Sequence, residues 1–287
     1  MTTVPSRPSE RLASREPGLP HELRTAAMVW QRELLRFART RIRILTGFTQ
    51  PILFLFVLGY GISPLVGTTG GFDFKKFVFP GVVAMSVVST AIFGAMSIVW
   101  DREFGFMREM LVAPASRAAL VVGKAAGGAT VATLQGTVML ALAPAIGVHL
   151  TVLLVLKVVA LCLLMAVALT SFGVFLASRI DHMESFGVVV QLVLFPMLFL
   201  SGAMFPLSGL PAWLSVLTRV NPLTYAVDPL RRTVFAAQNL PPAARARFPT
   251  GVELFGHTLG TASELAIVAG IAAVFLTLSV RAFGRPS

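Results

Sequence analysis

The chain has 287 residues, 55% hydrophobic and only 13% charged, with a mean hydropathy of +0.80. A soluble domain carries about 25% charged residues, so this composition excludes a water-surrounded globule and places function at or across a membrane. The 24 basic against 13 acidic residues give a net charge of +11, which in such a chain serves topology and lipid headgroups rather than nucleic acid. The one cysteine, Cys162, excludes an intramolecular disulfide.

Residues 1–20 are polar and rich in Pro, Ser and Arg, and read as a flexible tail. They lack the apolar core of a cleaved secretory signal, so the first span is expected to direct insertion. Residues 21–40 then have helical period, with Leu23, Ala27, Trp30, Leu34 and Phe37 on one face and Arg24, Arg32, Arg36 and Arg39 away from it. The pattern fits an amphipathic helix lying along the membrane surface, its arginines meeting anionic lipid. The alternative is a helix packed only on the bundle.

Six apolar stretches follow, at about 44–62, 77–99, 121–146, 152–177, 186–204 and 262–281, each near the ~20 residues that cross a bilayer as a helix. An even number of spans puts both termini on one side. That side carries 16 of the 24 basic residues and the other 8, so both termini are expected in the cytoplasm.

The polar segment between the second and third spans reads WDREFGFMREMLVAPASRAALVVGK, residues 100–124. A short helix is expected from Asp101 to about residue 112, with Asp101 near its start, Phe104, Met107 and Leu111 on one face, and Pro114 ending it. Apolar knobs ringed by charges of both signs suit a partner protein; the plain alternative is a solvated loop that sets topology. Lys124 is read as snorkelling from the third span. It cannot belong to a phosphate-cradling loop, because Gly123-Lys124 is followed by Ala125.

In the third span Gly128, Ala132 and Gly136 recur every four residues, with Gly123 and Gly127 ahead of them. This flat face permits close helix approach within a subunit or between two. Residues 205–260 are too long for a plain loop. Pro206, Gly209 and Pro211 punctuate a short apolar piece containing Trp213 that is placed in the outer leaflet. Asn221-Pro222 reads as a helix start, Asn as cap and Pro at the first position. Asp228 is positioned to pair with Arg231 or Arg232, and Pro229 is expected to bend or end that helix. The stretch 238–260, with Pro241-Pro242, Arg245 and Arg247, reads as an exposed connection or a lid. Lys157 and Glu264 are expected to snorkel near the outer interface.

The run FPGVVAMSVVSTAIFGAMSIVWDREFGFMREMLVAPASRAALVVGKAAGGA, followed later by MFPLSGLPAWLSVLTRVNPLTYAVDPLR, resembles the permease subunit of ABC-2 type exporters, in the branch similar to daunorubicin and doxorubicin resistance permeases. The resemblance implies an all-α, six-transmembrane-helix permease with an amphipathic N-terminal connecting helix and a partly re-entrant extracellular segment. It implies two permease halves, alike or paralogous, paired with P-loop ATP-binding cassette ATPase subunits. By position, the ATPase-coupling element would be Asp101, Arg102, Glu103, Phe104, Gly105, Phe106, Met107, Arg108 and Glu109, and the extracellular motif Asn221, Pro222, Tyr225, Asp228 and Arg231. Pro229 departs from the family pattern, which has Ala there. This chain would bind no cofactor; ATP and Mg would sit on the partner.

No H-E-x-x-H, G-x-S-x-G or cysteine pair points to enzyme chemistry. Asp181 and Glu184, beside Arg179 and His182, mark a short turn that either touches the ATPase or is simply solvated. An exporter of amphipathic drugs, antibiotics or lipid-like molecules is the leading expectation, its path drawing on Phe54, Phe93, Phe195 and Phe199. A permease for polysaccharide or lipid-linked glycan, a proton-coupled transporter and a membrane scaffold stand as alternatives.

Overall fold

The computed structural model describes residues 19–62, 74–105, 116–205, 207, 210–238, 251–254 and 257–284. The N-terminal tail through residue 18, Phe106, Met107, Arg108, Glu109, Leu111, Pro114, Pro206, Gly209, Pro241, Pro242, Arg245 and Arg247 lie outside the described residues.

Helix α1 runs Leu19–Arg39 and α2 Arg41–Phe56, continued by a π-helical turn Val57–Ile62. Next come α3 (Phe74–Gly94), α4 (Met96–Glu103) and α5 (Arg117–Met139), then α6 (Val152–Ala177) and α7 (Met183–Leu200). Short helices α8 (Ala212–Val220) and α9 (Thr224–Ala237) precede an antiparallel hairpin of β1 (Glu253–Leu254) and β2 (His257–Thr258), and α10 (Thr261–Gly284) closes the chain. Among the described residues, six helices are long and apolar enough to cross a membrane: α2 with its π-turn, α3–α4 as one unit, α5, α6, α7 and α10.

The ends of these helices follow local chemistry. Ser116 and Thr151 cap α5 and α6, their side chains accepting hydrogen bonds from the Ala119 and Leu154 amides. The third span stops as a regular helix at Met139 rather than 146. Two 3-10 turns, Leu140–Leu142 and Pro144–Ile146, replace the remainder and end on Gly147 at φ 74°, because Pro144 supplies no amide to an α-helical ladder.

Helix α3 is the axis of the bundle. In its span 78% of the most apolar stretch is buried inside the protein, against 17% for the first and sixth spans, so those two leave most of their surface to lipid or a second chain. Phe77, Phe79, Val82, Val87 and Ile92 are all but fully buried. The glycines of α5 work within the subunit. A Cβ on Gly136 would stand 2.4 Å from Val87 Cγ2, and one on Gly128 2.7 Å from Thr170 Cγ2. After α7 the chain doubles back at Ser201–Phe205, where Gly202 has φ 75° and Ala203 lies against Gly81, two turns into α3.

At Gly81 an added Cβ would stand 1.9 Å from Ala203 O, a backbone atom, whereas nothing lies within 4 Å of one on Gly270. Gly81→Ala is therefore expected to destabilise the protein by about 1–3 kcal/mol, read as a lowered thermal midpoint in detergent, while Gly270→Ala leaves it unchanged.

Candidate functional site

At one end of the bundle α1, α4 and α5 meet around a buried ion cluster. Lys124 Nζ donates to Asp101 Oδ2 at 2.7 Å, Glu33 Oε1 at 3.3 Å and Ser97 Oγ at 3.3 Å. The Asp101 and Lys124 side chains are only 7% and 5% exposed. Arg32 adds a bond to Asp101 Oδ2 at 3.1 Å, and Arg36 stands 3.7 Å from Oδ1. Glycines let α1 come this close: a Cβ on Gly123 would be 2.6 Å from Ala26 O, and one on Gly127 2.7 Å from Glu33 Cβ. Lys124 thus corrects the snorkelling expectation, since an ammonium is taken out of water only with its charge met.

Asp101, Arg102 and Glu103 also correct the expected coupling helix. They form the last turn of the second span rather than the start of a new element, because each charge has a partner within the bundle. Arg102 donates to Ala177 O, Ser178 O and Ile180 O and pairs with Asp181 at 3.0 Å, satisfying the open carbonyls at the end of α6. Glu103 Oε2 accepts from the Met183 amide at 2.9 Å, at the start of α7. The helix then stops. Phe104, exposed, lies against Trp100 with ring centroids 4.6 Å apart, and Gly105 turns the chain at φ 80°. On the far side of the connection Arg117 Nη1 donates to Phe283 O at 2.8 Å. Residues 106–115 therefore spring from a base braced against α1, α5, α6, α7 and α10.

Helix α1 meets the bundle through Thr25, Ala26, Val29 and Glu33, leaving Leu23 69% exposed and Ala27 also outward. Leu34 and Phe37 are half-buried, and Trp30 Nε1 donates to Thr130 Oγ1 at 3.0 Å. Only the first part of the apolar stripe, Leu23 and Ala27, is turned away from the protein, and the rest leans on α5 and its neighbours.

The opposite end is organised by the second motif. Asn221 does not cap a helix beginning at Pro222. Its Nδ2 donates to Met197 O at 2.7 Å, its Oδ1 accepts from the Leu223 amide, and α9 starts at Thr224. Here the side chain makes a local turn and ties it to α7. Tyr225 Oη donates to Arg219 O at 2.6 Å. Asp228 pairs with Arg232, not Arg231, and accepts from the Gly251 amide at 2.9 Å. Arg231, fully buried, donates to Gly202 O and stacks over Phe77 at 4.3 Å. Burial pushes its guanidinium down to about 10, Asp228 opposing the shift, so it remains a cation at neutral pH. Arg232 reaches Leu259 O at 2.8 Å and Glu264 Oε1 at 3.1 Å. Glu264 is fully buried rather than snorkelling. Pro229 does not end α9, which continues to Ala237; the contacts of its neighbours hold the turn despite the missing amide. Phe54 and Phe93 pack against the core, whereas Phe195 and Phe199 stand exposed on α7.

A six-span helical bundle with a charged, braced connection at one end and a partly re-entrant, clamped segment at the other defines a multi-pass membrane protein of the permease type. The chain matches the ABC-2 type transporter family over residues 26–235 and belongs to it. Relatives include nodulation protein J of Rhizobium leguminosarum bv. viciae, 31% identical over 72% of this chain and 80% of its own. The putative transport permease ycf38 of Cyanophora paradoxa is 29% identical over 70% and 71%. The inner membrane transport permease YadH of Escherichia coli strain K12 is 27% identical over 74% and 84%. ABC-2 permeases are membrane transport components that work with an ATP-binding cassette ATPase.

Removing Lys124 takes away the shortest and most buried contact of Asp101 and the closer of the two contacts of Glu33, leaving both to the half-exposed Arg32 and Arg36. Lys124→Met is expected to cost about 3–5 kcal/mol, measured by thermal unfolding in detergent, against no change for Lys157→Met, whose side chain is exposed.

Proposed function

We propose that this chain is the transmembrane subunit of an ATP-binding cassette exporter of the inner membrane, driven by separate ATPase subunits and carrying no catalytic site of its own. The observation that supports it most is the braced base of the α4–α5 connection. Asp101, Arg102 and Glu103 fix one side of residues 106–115 to α1, α5, α6 and α7, so a push on that segment is delivered to the bundle as a whole rather than lost in a loose loop. The docking contact itself falls to Phe106, Met107, Arg108 and Glu109, with Phe104 and Gly105 as its hinge and rim. The exposed turn with Asp181 is tied to Arg102 at the same base.

In this reading the α1 end faces the cytoplasm, which the excess of basic residues on that side supports, and α1 lies in the headgroup layer with Leu23 and Ala27 towards lipid. The α9 end, with its motif from Asn221 to Arg231, closes the outer side. Two copies, or this chain and a paralogue, form the path. The cargo is an amphipathic drug, antibiotic or lipid-like molecule. A glycan-bearing cargo is the second reading, and transport assays with the two cargo classes separate them.

A P-loop ATPase is expected to co-purify with the tagged permease from its native host and to be lost from Met107→Asp and Glu109→Lys at unchanged permease levels. Equal recovery with both variants, or none with wild type under conditions that preserve comparable complexes, would overturn the docking assignment.

A further inference from the structure

Deep in the bundle one side-chain amide joins three spans. Gln135 of α5 lies 11 residues past Lys124, roughly 16 Å further along the helix, and is only 2% exposed. Its Nε2 donates to Gly47 O on α2 at 2.7 Å, and its Oε1 accepts from Thr90 Oγ1 on α3 at 2.7 Å.

The carbonyl it meets is the one that a proline leaves open. In an α-helix the carbonyl of residue 47 receives the amide of residue 51, and residue 51 is Pro, inside α2 and without an N–H. A carbonyl freed in this way in a spanning helix is satisfied from a neighbouring helix, and Gln135 does that here. Gly47 makes the room, since a Cβ on it would stand 2.7 Å from Gln135 Nε2. The bond that keeps this turn of helix in line is therefore supplied by a rotatable side chain from another span.

Beyond Pro51 the span rests on the bundle along a single line. Leu55 and Gly59 are buried, while Leu53, Phe56, Val57 and Tyr60 are exposed. The regular ladder gives way to the π-helical turn Val57–Ile62. Lys75 Nζ, 4.2 Å from the centroid of the Tyr60 ring, ties the far end to the start of α3 through a flexible stem.

We propose that Pro51 is a hinge in the first span and that Gln135 is the positioning residue that latches it. While Gln135 holds Gly47 O, residues 52–61 stand at one angle. When it lets go, they roll about the line of Leu55 and Gly59 and reset the outer half of the transport path. A turn of about 20° on the arm from Pro51 to Gly61, roughly 15 Å long, moves the far end by roughly 5 Å. The latch is independent of the proposed exporter function; its use in transport rests on that function.

The test is pulsed electron resonance between spin labels at Gly61 and Val152, in the full chain carrying Cys162→Ser and held in nanodiscs. Both positions are exposed, and nothing lies within 4 Å of a Cβ on Gly61. Without the latch substitutions one narrow distance distribution is expected. Gln135→Leu should broaden it or displace it by roughly 5 Å, and Thr90→Val, which removes the support of Oε1 alone, should give an intermediate width. Pro51→Ala returns an amide to Gly47 O, so adding Gln135→Leu or Thr90→Val to it should change nothing. A packing role alone would broaden the distribution in both backgrounds. Thr90→Val carries the same comparison where Gln135→Leu fails to fold. A distribution unmoved by the substitutions, or one that Pro51→Ala does not rescue, would overturn the latch.

In the assembly with its ATPase, a non-hydrolysable ATP analogue is expected to shift the Gly61–Val152 distance, to leave Leu45–Val152 constant, and to shift neither in Pro51→Ala. No shift, or the same shift in Pro51→Ala, overturns the part of the hinge in transport. Failure to recover an ATPase sinks the exporter function instead, and the comparison made on the chain alone still decides the latch.

Discussion

A lysine held between two acids where α1 runs alongside α5 is the interaction on which the rest of the structure depends. Lys124 joins α5 to Asp101 at the end of the second span and to Glu33 on α1. An ion cluster this buried gains little net stability over a well-packed apolar contact, yet breaking it on one side is costly. Its value is positional: it fixes the depth and rotation of α1 against α5, where Gly123 and Gly127 have removed the steric barrier. Because α1 is gripped through this polar, small-residue side, Leu23 and Ala27 stay exposed while Trp30, Leu34 and Phe37 keep contact with the bundle.

The same economy appears at the other end. There Arg231 and Arg232 point in different directions from consecutive positions of α9. The first holds the doubled-back segment at Gly202 and covers Phe77, and the second gathers Asp228, Leu259 and Glu264. The second span joins the two clusters, running from Phe77 under Arg231 to Asp101 beside Lys124, 24 residues later, a length of roughly 36 Å as helix. As the most buried span of the bundle it is the one least free to flex. The base of the α4–α5 connection and the clamp around Arg231 are thus tied to one helical unit.

Hydropathy made the six long apolar helices legible, because lipid imposes length and apolarity on every crossing helix. The ion clusters were not legible for the same reason. A charged residue near a span end reads as a membrane exit, and sequence gives its depth but neither its direction nor its partner. By that signal Lys124 and Glu264 read as snorkelling, and Asp101 as the beginning of a separate helix. Asn221 carried a sound capping signal, yet its side chain is spent on the Met197 carbonyl, a contact 24 residues away. Pro229 shows the reverse: a local rule against helix continuation is outweighed by Asp228, Arg231 and Arg232, whose contacts hold that turn from both sides.

The central claim is that the cluster makes α1 and the α5 end of the connection move as one body. Spin labels at exposed Arg24 and Val122, in a chain with Cys162→Ser and assembled with its ATPase, measure it by pulsed electron resonance. The account predicts one narrow distance distribution, the same with and without ATP, that broadens in Lys124→Met. A distance that shifts with ATP while Lys124, Asp101 and Glu33 are intact would contradict it.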